Sequence, residues 1–114
     1  MKTKFSKNII YKFDKFYLPM RDYERIDNLL FCDITVIAKE KNIHQELHKN
    51  KNHFRDVLYT WLQNQNCMYL LDPARRSEIQ EKFLNLINTN LKDGITDSIV
   101  FTTGKQYKFN TDLY

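Results

Sequence analysis

The chain has 114 residues, a formal net charge of +4, and 42% hydrophobic and 14% aromatic content. That is enough apolar material for one core, too little length for two, and it excludes a disordered or low-complexity chain. The cationic excess is interleaved with acids, as in the run Arg21-Asp22-Tyr23-Glu24-Arg25-Ile26-Asp27, so it reads as a solvated surface rather than a basic tract for nucleic acid or an anionic membrane.

Residues 1–8 are polar and are expected to form a flexible N-terminal segment, with a single α+β domain over 9–110 and a C-terminal tail over 111–114. Ile9, Tyr11 and Phe13 alternate with Ile10, Lys12 and Asp14, and the apolar run continues through Phe16-Tyr17-Leu18. This predicts a strand that stops at Pro19. Met20 to Asn28 is charged and turn-like, and Leu29 to Ala38 is a second strand with Leu30, Cys32, Ile34, Val36 and Ala38 on one face. The two strands are expected to form an antiparallel hairpin with a long loop.

After a polar break at Lys39–Asn42, Ile43 to Lys49 predicts a short helix. Asn50 or Asn52 is placed to cap the next helix, whose stripe is Phe54, Val57, Leu58, Trp61 and Leu62, with Tyr59 at its rim. The link Asn66-Cys67-Met68-Tyr69-Leu70-Leu71 leads to a clear helix start, where Asp72 accepts from free amides and Pro73 fits the first helical position. The stripe of this helix is Ile79, Phe83, Leu86 or Ile87, and Leu91, and Gly94 supplies a left-handed turn to end it. In the last strand Ile95, Ile99 and Phe101 share burial with Val100, and Gly104 marks a bulge or turn before Tyr107 and Phe109. The expected fold is α+β: a small, mostly antiparallel sheet of three to four strands with two or three helices on one face.

Chemistry-bearing patterns are few. His44 and His48 stand four apart in His44-Gln45-Glu46-Leu47-His48, which is metal-ligand spacing on a helix. A metal-dependent hydrolase needs its glutamate next to one of the histidines, whereas Glu46 sits midway and off their face, and nothing fixes His53 as a third ligand. With only Gly94 and Gly104, a phosphate-cradling or dinucleotide loop is excluded. Ser6, Ser77 and Ser98 lie at no strand-to-helix elbow, and Cys67 has no nearby base. The pairs Asp22/Glu24 and Asp93/Asp97 read as solvated charge, as do Arg75 and Arg76, although cations in a first helical turn oppose the helix dipole. Cys32 and Cys67 lack metal spacing, and whether they meet in a disulfide is open at this level. No signal or membrane-spanning segment is evident, since apolar runs such as Leu29–Cys32 are far too short. No enzymatic activity, cofactor, metal or small-molecule substrate is expected.

Several stretches in order carry a family likeness: Phe16-Tyr17-Leu18; Leu30-Phe31-Cys32-Asp33-Ile34-Thr35-Val36; Phe54-Arg55-Asp56-Val57-Leu58; the helix Arg76 to Leu91 with Ile87-Asn88 before Leu91; and Ile95 to Thr103 with Phe101-Thr102. This helix, Asp-Pro, helix, Asp-Gly, strand order resembles the domain of FliL-type flagellar basal-body-associated proteins, over roughly Phe13 to Tyr107. The family's N-terminal transmembrane helix is absent from this chain. The resemblance implies a stomatin-like (SPFH) fold and a location on the periplasmic side of the bacterial inner membrane. It also implies a non-enzymatic role: a homo-oligomeric ring around the motor's stator units, contacting stator subunits and supporting torque generation and motility. The family has no catalytic residues to carry over. The alternative is a small adaptor or inhibitor, for example one encoded by a mobile element against a nucleic-acid enzyme. A small nucleic-acid-binding domain ranks third, and steep salt dependence of binding would be its mark.

Overall fold

Alternation of apolar and polar residues builds a long hairpin in the computed structural model, which describes residues 9–22 and 25–107. The expected flexible segment 1–8, the tail 111–114 and Phe109 lie outside the described residues. Strand β1 (Ile9–Asp22) pairs antiparallel with β2 (Arg25–Ala38), from Ile9 opposite Ala38 to Asp22 opposite Arg25. The register advances from Phe13 to Phe16 along β1 while it moves only from Ile34 to Cys32 along β2, so β1 carries one extra residue, a β-bulge. The bulge switches parity: Phe13 is buried before it, Phe16 and Leu18 after it.

Pro19 does not stop the strand, contrary to expectation; β1 continues through it and pairs it with Leu29. The sheet order is β1-β2-β3, so β1 is an edge, and a proline whose nitrogen faces the open side costs no ladder bond. Pairing of Met20 with Asn28 and of Asp22 with Arg25 likewise replaces the expected long loop. On β2 the predicted face is the heart of the core, with Leu30, Cys32, Ile34 and Val36 wholly inaccessible and Ala38 nearly so.

Three longer helices and a short one follow: α1 (Lys41–Lys49), α2 (Lys51–Gln63), α3 (Cys67–Leu71) and α4 (Arg76–Asn90). The link before Asp72 is therefore partly helical, with the Asn66 side chain accepting from the Met68 N–H at 2.7 Å. Asn50 does not cap α2 with its side chain; its amide instead donates to the Glu46 carbonyl at 3.3 Å. Asp72 does cap, accepting from the Ala74 N–H at 3.0 Å ahead of a single 3-10 turn, Pro73–Arg75, that opens α4. Burial falls on Phe54, Leu58 and Leu62 of α2, with Val57 and Trp61 half-buried, and on Ile79, Phe83 and Ile87 of α4. The choice between Leu86 and Ile87 thus goes to Ile87. Phe83 stands edge-on to Trp61 and tilted to Phe101, each 5.1 Å away.

Gly94 plays a different part from a helix cap. Helix α4 ends at Leu91, which is already extended at φ −84° and ψ 144°, and Gly94 follows three residues later at φ +154°. A Cβ there would meet Ile43 Cδ1 at 2.7 Å, so the glycine lets the backbone pass close over α1. Ile95 is 69% exposed, and its neighbour Thr96 is the buried residue instead. Strand β3 (Ser98–Tyr107) then pairs with β2 in unbroken register from Ile37–Ser98 to Asn28–Tyr107. Gly104 makes no bulge; it leaves room for the Phe31 ring, whose Cζ would stand 2.5 Å from an added Cβ. Among the described residues the architecture is α+β, a three-stranded antiparallel sheet with its helices on one face. Among the described residues no helix is long and apolar enough to cross a membrane.

Candidate functional site

Glu46, the residue at the centre of the two-histidine pattern, is a structural clamp. It is buried, and its carboxylate accepts from the backbone N–H groups of Lys92 (2.8 Å) and Asp93 (2.9 Å). Both carboxylate oxygens therefore hold the segment leaving α4. His44 lies edge-on to Tyr11 at 5.1 Å, with His48 at 6.3 Å from the same ring. His53 is taken by Asn90 Oδ1 at 3.1 Å. Among the described residues no three His, Cys, Asp or Glu side chains are grouped to hold a metal ion.

Cys32 and Cys67 are free thiols. Burial, then the neighbouring Asp33 and Cys67, pushes the Cys32 thiol up to about 12, and burial raises Cys67 as well. A thiol so protonated is a poor nucleophile. Arg75 reaches Glu78 at 3.4 Å, and Glu78 also accepts from the Tyr69 hydroxyl at 2.6 Å. That hydrogen bond, with a smaller contribution from burial, raises the tyrosine pKa. Arg75 is thus tied into an exposed local network, an arrangement that sequence alone did not reveal because Tyr69 lay in a presumed link.

Two concave regions flank the β1 bulge. One, of about 410 Å³, lies between β1 and α2 and includes Lys15, Phe16, Arg55, Asp56 and Tyr59. Arg55 covers the Phe16 ring at 4.3 Å, and Phe16 stacks on Tyr59 at 6.3 Å. The other opens on the uncovered face of the sheet beside Lys12, Lys15 and Asp33. There Lys15 pairs with Asp33 at 3.2 Å and stands 5.0 Å from the centre of the Phe31 ring. The linings as described combine cationic side chains with aromatic rings. Exposed Ile10, Tyr17 and Val100 extend the same uncovered face.

Sequence reasoning passed over the two polar clamps, Glu46 and Asn88. Asn88 Oδ1 accepts from the Thr96 N–H at 2.8 Å and from its hydroxyl at 3.1 Å. The signal available was a polar residue set among the apolar positions of a helix. No protein-family model matches the chain, and no curated protein matches it.

Proposed function

We propose that the chain is a non-enzymatic scaffold domain of the FliL type, working on the periplasmic side of the inner membrane by contact with flagellar stator subunits and with copies of itself. The observation that carries this reading is where the likeness falls. The residues that resemble the family are those that build the fold: Asp72 as cap, Asn88 as the clamp on Thr96, and Phe101 packed on Phe83. The absence of a convergent catalytic group among the described residues is compatible with a mechanical role, and the exposed sheet face offers area for contacts.

The test is localisation with contact. The chain, carried behind a membrane-spanning helix in a flagellated bacterium lacking its own FliL-type protein, should concentrate at the flagellar base and cross-link to a stator subunit. Diffuse membrane distribution with no stator adduct would sink the proposal.

A further inference from the structure

The two edges of the sheet are treated differently by the chain. The β1 edge is guarded by Pro19 and by the bulge between Phe13 and Phe16. These are recognised devices against unwanted strand pairing. The β3 edge has neither proline nor bulge over its ten residues. Its first half is closed from within: the Phe101 N–H donates to Gln80 Oε1 of α4 at 2.9 Å, so a side chain occupies the place of a neighbouring strand's carbonyl. Alternate residues of an antiparallel strand turn both backbone polar groups to the same side. Thr103, Lys105 and Tyr107 therefore share the outward side with Phe101, and among the described residues no partner takes the outward groups of Thr103 and Lys105.

We infer that the β3 edge from Thr103 to Tyr107 is a docking site for one extended strand of another protein, with an acidic residue opposite Lys105. An edge of alternating N–H and C=O groups is satisfied by extended backbone, which identifies the class of ligand. Lys105 is exposed and without an ion-pair partner among the described residues, which sets the charge. It also argues against a second copy paired two-fold about residue 105, which places Lys105 against Lys105, where like charges directly opposite repel. Centring the pair further back brings the partner strand onto the stretch closed by Gln80. The inference is independent of the flagellar reading, because edge and charge belong to the fold whatever the partner's identity.

The probe is an acetylated heptapeptide of alternating valine and threonine with one central glutamate, compared with the same peptide carrying lysine. On the full chain, the glutamate peptide should slow amide exchange at Thr103 and Lys105 and leave the β1 edge unchanged. It should bind about three- to tenfold more tightly than the lysine peptide, the range expected for exchanging an attractive for a repulsive cross-strand pair. Lys105→Glu, an exposed substitution, should reverse the order. The inference is overturned by absence of protection at millimolar peptide, by protection of β1 instead, by a preference that Lys105→Glu leaves unreversed, or by concentration-dependent protection of β3 without peptide, which would mean self-pairing.

Discussion

Asn88 joins two elements through one oxygen. Its Oδ1 accepts both polar hydrogens of Thr96, and Thr96 is only 2% exposed, so water cannot replace the lost acceptor. Asn88→Ala should therefore destabilise the fold by about 2 kcal/mol, the usual cost of leaving buried donors unsatisfied. Asn88→Asp, which keeps an acceptor in place, should lose much less. Denaturant midpoints of the two variants check this, and equal losses would mean that side-chain volume rather than the acceptor matters. Cys32 gives a second residue-level expectation. Its folded thiol sits near 12 against 9.0 in the unfolded reference. The folded state holds the proton more tightly, so this contribution to stability is complete below pH 9 and is lost as pH rises toward 12. Cys67, also raised by burial, shifts in the same direction. Unfolding free energy should be level near pH 8 and decline above pH 9. Cys32→Ala should start lower and decline less steeply, and parallel slopes would refute the assignment.

At the scale of elements, what could be read from sequence was whatever depends on local periodicity. The buried face of β2, the stripe of α4 and the Asp72-Pro73 helix start follow from spacing and from groups adjacent in the chain, and the structure has them as expected. What could not be read depends on neighbours distant in sequence. Whether Pro19 ends a strand depends on whether its nitrogen meets a partner, and only the strand order makes β1 an edge. Gly104 looks like a bulge in one dimension, but it is a clearance for Phe31, opposite it on β2. Gly94 after a helical run suggests a cap, yet its constraint comes from Ile43 on α1. The bulge between Phe13 and Phe16 shows itself only in the register with β2, whereas the apolar run of the sequence reads as one continuous strand. Glu46 was weighed as part of a metal pattern because its true partners, the amides of Lys92 and Asp93, lie 46 and 47 residues away.

The whole molecule has unlike ends. Strands β1 and β2 have 14 residues each, about 46 Å at about 3.3 Å per residue. The longest helix, α4, has 15 residues, about 23 Å at 1.5 Å per residue. The hairpin therefore outreaches the helical layer, leaving a helix-covered end and a ribbon end. Under the proposed role the contact between subunits is head-to-tail, one surface meeting a different surface so that the set closes into a ring. The subunits are held together by a membrane anchor. Tethering then supplies a high effective concentration, and each contact can be weak. Freed in solution, the chain should be monomeric at micromolar concentration by light scattering. Fused to a membrane-spanning helix, it should yield a ladder of cross-linked species rather than a single dimer band, with cysteines introduced at exposed positions near the two ends. The charge pattern adds a condition, because a surface of interleaved acids and bases gives contacts that weaken with salt; the ladder should shorten as ionic strength rises. A tight dimer in dilute solution, with the anchored form giving that dimer and nothing larger, would mean that the molecule pairs through one self-complementary surface and builds no ring.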